Sequence, residues 1–94
     1  MKVVMVEWVE SERGWGIRPD GVSLHHHDNM AKHYIRSYWN DMPDETPDEY
    51  SRPNSDPTPV EISDDLYEEM ETLRKKGVFG LRLYEHELKN ITLS

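Results

Sequence analysis

NDMPDETPDEYSRPNSDPTP, residues 40–59, is the stretch that decides the architecture. It holds five of the six prolines and six of the nineteen carboxylates of the chain. Proline fixes φ, lacks an N–H and pushes the residue before it into extended geometry, so no regular helix crosses this tract. The chain therefore reads as two halves joined by a long Pro/Asp-rich loop. A structureless loop of this length is unusual inside a small domain, so it is either functional or pinned locally by Tyr50 and Arg52. MPDE at 42–45 and TPDE at 46–49 echo each other, which is low complexity rather than a structural repeat.

Upstream of the tract, KVVMVEWV at 2–9 is β-branched and aromatic. Val4, Val6 and Trp8 alternate with Val3, Met5, Glu7 and Val9, which is a strand. Residues 11–14 form a turn and 15–18 a second short strand, making a hairpin. Pro19-Asp20-Gly21 is a turn signal. Residues 22–25 are then a third strand, or an extension of the second past a tight turn. Ala31, Tyr34, Ile35 and Tyr38 recur at i, i+3, i+4 and i+7, which predicts a first helix capped from 27–29, best by Asp28, and ending near Trp39 or Asn40.

Downstream, residues 60–62 are a short strand. Ser63 is an N-cap for a second helix, with Asp64 and Asp65 in its first turn and Arg74, Lys75 and Lys76 in its last. Leu66, Met70 and Leu73 mark its buried stripe, and Gly77 closes it. Residues 78–84 are the last strand. The expected fold is a single α+β domain spanning 1–94, with a small antiparallel sheet and both helices packed on one face. Its core is Val4, Val6, Trp8, Ala31, Tyr34, Ile35, Tyr38, Leu66, Met70, Leu73, Phe79, Leu81 and Leu83.

Ninety-four residues make one domain. Only 35% of them are hydrophobic, yet three Trp, five Tyr and one Phe supply large rings for a small core. The absence of cysteine excludes disulfides, thiolate metal sites and cysteine nucleophiles. The opening residues resemble neither a signal peptide nor a membrane span, so a soluble cytoplasmic protein is expected. A net charge of −8 opposes direct binding to nucleic acid and favours a basic partner.

Three groups of residues carry candidate chemistry. His25, His27 and His33 offer imidazoles suited to Zn, Cu or Ni. Alternation on a strand lets His25 and His27 converge while His26 turns away. No HExxH spacing accompanies them, so no cofactor is expected beyond adventitious Zn or Ni. Gly14 and Gly16 flank Trp15, and Arg13 and Arg18 lie within six residues. An indole face and two guanidiniums there could hold a partner protein or a small anionic, nucleotide-like ligand. In the tract, Asp44, Glu45, Asp48 and Glu49, with Tyr50 and Arg52, could dock on a basic partner or mimic nucleic-acid charge. Ser23, Ser37 and Ser51 lack a nucleophile motif such as GxSxG, and no catalytic residue is assigned.

The runs ERGWG at 12–16, RPDG at 18–21 and PDEYSRP at 47–53 resemble those of short accessory proteins of tailed phages and other mobile elements. That resemblance implies a protein acting on a host or defence component. The expected function is thus a non-enzymatic acidic binding protein whose contact surface joins the Trp15/Arg18 hairpin to the Pro/Asp tract. The alternatives are a protein that sequesters an anionic ligand, a DNA-mimicking inhibitor, and a His-ligated metal enzyme. Exposed edge strands also favour a homodimer.

Overall fold

The β-branched run near the start of the chain becomes its central strand. In the computed structural model, which describes residues 1–12, 16–42 and 49–88, β1 (Lys2–Glu12) pairs antiparallel with β2 (Gly16–His25). Pro19-Asp20-Gly21 does not end β2. Glu7 faces Val22 while Val9 faces Pro19, so β2 absorbs one extra residue as a bulge. Gly21 sits there at φ +86°, and a Cβ on it would lie 1.9 Å from the Leu83 carbonyl oxygen. Only glycine fits both the left-handed backbone and that approach.

The proline-rich tract is not one loop. It supplies β3 (Glu49–Pro53) and the first half of β4 (Thr58–Glu61), which lie end to end along the other side of β1. Between them the Asn54 N–H donates to the Glu7 carbonyl and the Glu7 N–H donates to Ser55 Oγ. Pro53 and Pro59 are tolerated because both strands are edges. Tyr50 and Arg52 are pinned by register, facing Ser11 and Val9. On the far side β5 (Leu81–Leu83) pairs with Val22–Leu24 of β2. It is shorter than the expected 78–84, because the Val78 N–H returns to the Leu73 carbonyl.

The first helix, α1, is Asp28–Asp41, and the second, α2, is Asp64–Lys75. Ser63 caps α2 as expected, its Oγ accepting from the Leu66 N–H. Asp28 is the first residue of α1 rather than its cap, and the His27 side chain at the N-cap makes no capping bond. Among the described residues no helix is long and apolar enough to cross a membrane.

The class is α+β, a curled antiparallel sheet with two helices. The helices do not share a face, however. Val6, Trp8 and Ala31 are buried together, with Val4, Tyr34, Ile35 and Tyr38 against them, so α1 covers one side of β1. Val3, Val22, Leu24, Val60, Ile62, Met70 and Leu83 form a second cluster under α2 on the other side. The reason lies in β1 itself. Its alternation is apolar on both sides, so either face left bare would expose a row of Val and Met.

Candidate functional site

The α1 side of the sheet carries a buried chain of polar groups. Trp8 Nε1–H donates to Ser23 Oγ at 2.8 Å. Ser23 Oγ lies 2.7 Å from His25 Nε2, and His25 Nδ1 lies 2.7 Å from the Phe79 carbonyl oxygen. A carbonyl only accepts, so Nδ1 carries the proton and Nε2 of the neutral ring accepts from Ser23. Every donor has one acceptor. Burial lowers the His25 pKa below its ordinary 6.5, the Phe79 carbonyl opposing this and His26 adding to it. Gly80 permits the arrangement, since a Cβ there would meet the His25 ring at 2.5 Å. The Ser–His pair has hydrogen-bond geometry, but both residues are fully buried, so no substrate reaches them.

Nearer the surface, Arg82 joins the two ends of this face. Its guanidinium lies 4.8 Å from the Trp8 ring centroid and 4.8 Å from that of Tyr84. It is ion-paired to Asp20 at 2.9 Å. Asp20 also accepts from Ser51 Oγ, and the Ser51 carbonyl accepts from the Tyr38 hydroxyl. The bulge at Gly21 brings Asp20 into this position. Strands β2, β3 and β5 and helix α1 are thereby tied at one point. Burial pushes the Tyr34 and Tyr38 phenols up, with Arg82 pulling both back.

The sheet end beyond this network holds the surface residues. Glu10 faces Arg18 on one side and Ser51 on the other, so the hairpin and the tract's strand lie side by side. Arg18 pairs with Glu10 at 2.9 Å. Tyr38, Trp39 and Tyr50 then form an edge-to-face series, with centroids 5.3 Å and 6.4 Å apart. Trp39 is 41% exposed, unusual for so large an apolar side chain. A groove of about 450 Å³ beside the hairpin is lined by Glu10, Arg18, Asp20, Tyr84, Glu85 and His86. It would offer an anion one guanidinium, already paired to Glu10, among three carboxylates.

Of the residues singled out by sequence, Arg18, Tyr50 and Arg52 fall at this one end of the sheet. Arg13, Trp15, Asp44, Glu45 and Asp48 lie outside the described residues, as does the Glu49 side chain. The histidines are not brought together. His25 is buried with both ring nitrogens engaged, His27 is exposed at the start of α1, and His33 packs edge-on against Phe79 at 5.0 Å. Among the described residues no three His, Asp or Glu side chains are grouped to hold a metal ion. His26, set aside by the sequence reading, lies 2.8 Å from Glu71 Oε1, within ion-pair distance though not aligned as a hydrogen bond. A hydrogen bond from Arg74 holds the Glu71 carboxyl below its ordinary range. Arg82 and Trp39 escaped the sequence reading. Alternation in LRL at 81–83 and the end of the α1 stripe were the signals available. No protein-family model, curated protein or solved structure matches the chain.

Proposed function

We propose that this chain is a non-enzymatic binding protein that engages a partner protein through the sheet end where β3 meets the C-terminal end of α1. One observation carries the reading. Tyr38, Trp39 and Tyr50 present a continuous aromatic surface, with Trp39 41% exposed, and the sequence between Trp39 and Tyr50 is rich in carboxylates. Exposed Trp and Tyr are the residue types that dominate protein–protein contact energies. Carboxylates in such a segment set partner charge and speed encounter rather than supply the bulk of affinity. The partner is thus a protein with an apolar pocket and a basic rim. The resemblance to accessory proteins of mobile elements supplies its kind, a host or defence protein.

The test is parallel affinity capture from the source cell with the wild type and with Trp39→Ala, followed by titration of the purified captured protein. Trp39→Ala is expected to weaken binding ~30-fold or more, as loss of a central aromatic does, without changing the unfolding midpoint. Equal affinity for the two chains overturns the reading. Charge reversal at Asp44, Glu45 and Asp48 is expected to act mainly on the association rate and its salt dependence.

A further inference from the structure

The exposed face of α2 has a charge order that matches itself in reverse. Asp65, Glu69, Thr72 and Lys76 recur at i, i+4, i+7 and i+11, with Glu68 and Lys75 flanking them, so all six lie on one stripe. Read along the helix, the stripe is acidic, neutral, then basic. Among the described residues none of its five charged side chains has an ion-pair partner, whereas Arg74 and Glu71, off the stripe, are paired with each other. The Thr72 hydroxyl turns back to the Glu68 carbonyl at 3.0 Å, which leaves a small side chain with no free donor at the midpoint. A groove of about 530 Å³ runs beside the stripe, with Leu73 and Leu81 among its lining residues. Leu73 was expected in the core and is only half-buried there.

We infer that the groove along α2 is covered by α2 of a second copy of this chain, packed antiparallel about a two-fold axis at Thr72. In such a pair, residue 72+k faces residue 72−k of the other copy. Glu68 then faces Lys76 and Glu69 faces Lys75, twice over by symmetry, while Leu73 and Leu81 of each copy leave water. The sheet edges are poorer routes to a dimer. β3 and β4 carry Pro53 and Pro59, and β5 is three residues long. A 12-residue helix is only about 18 Å long, so the interface is small and the dissociation constant is expected on the order of tens to hundreds of micromolar.

The experiment is sedimentation equilibrium of the untagged full chain at 20 μM to 1 mM, in low and high salt. The expected result is a monomer–dimer equilibrium that weakens with salt. Glu68→Lys with Glu69→Lys in one chain, and Lys75→Glu with Lys76→Glu in another, are each expected to raise the dissociation constant at least ~tenfold through like-charge contacts. Mixed one to one, the two variants match at all four contacts and are expected to form a heterodimer. Circular dichroism confirms that each is folded, and Lys75→Gln with Lys76→Gln serves if the acidic pair frays the helix end. A wild type that stays monomeric at 1 mM in low salt overturns the inference. So does a dimer that both variants leave unchanged, or variants that fail to pair when mixed.

Discussion

The two faces of β1 are held by different physics. Under α2 the contacts are Val, Leu, Ile and Met, and their attraction has no direction. Under α1 the same strand presents Trp8, whose indole N–H, ring face and ring edge each have an assigned partner in Ser23, Arg82 and the tyrosines Tyr34 and Tyr38. The apolar face resists dissection because no single contact is essential. The polar face fixes geometry, and it fails abruptly because each group depends on the next. A small domain with modest apolar content thus gains a second core by spending a few buried polar groups on order.

The comparison breaks first at Ser23. Ser23→Ala leaves the Trp8 indole N–H and His25 Nε2 both buried without partners. A loss of about 2–5 kcal/mol is expected, read by urea unfolding with Trp fluorescence. A loss under ~0.5 kcal/mol would mean that the chain of hydrogen bonds does not hold this face.

Acid should strain the same face next. The folded pKa of His25 lies below the 6.5 of the unfolded chain. Between those two values the unfolded state binds more protons, so stability rises with pH in that window and falls as pH drops through it. The slope attributable to His25 is at most about 1.4 kcal/mol per pH unit. Subtracting the profile of His25→Phe from that of the wild type isolates it. A flat difference from pH 7.5 to 5.5 would show that protonation is no burden there.

The smallest effect is expected on the other face. Met70 is buried on the inner side of α2, yet Met70→Leu conserves volume and should cost about 1 kcal/mol or less. If it costs as much as Ser23→Ala, the faces do not differ in kind.

What could be read from the sequence divides along similar lines. β1 and α2 were legible because their signals are local: alternation for one, and Ser63, the acidic first turn and Gly77 for the other. The second face was legible too, in Val3, Met5 and Val9, but counting both helices on one layer overlooked it. β3 was not legible. EYSRP has no apolar alternation, and it is a strand only because β1 lies beside it. Pro19-Asp20-Gly21 has the same local chemistry whether it turns the chain or bulges it; the Leu83 carbonyl against Gly21 makes the difference. His25 reads as one of three polar neighbours, and its burial depends on Gly80, fifty-five residues away in the chain. At the candidate site, Arg18, Tyr50 and Arg52 came from residue type alone. Trp39 was passed over because the end of a helical stripe does not reveal which side of the rim a ring will occupy.

Residues 49–61 close the open side of β1, and this has a consequence for how the chain is made. On the ribosome, the first hairpin is complete when residue 25 has been added, about two dozen residues before the first residue of β3. In that interval β1 presents an unpaired row of backbone donors and acceptors flanked by Val and Trp, a ready template for another nascent chain. The edge strands that arrive later, short and broken by proline, make poor templates themselves. The molecule exchanges a hazardous border for a harmless one, and the exposure is confined to the time it takes to synthesise residues 26–61.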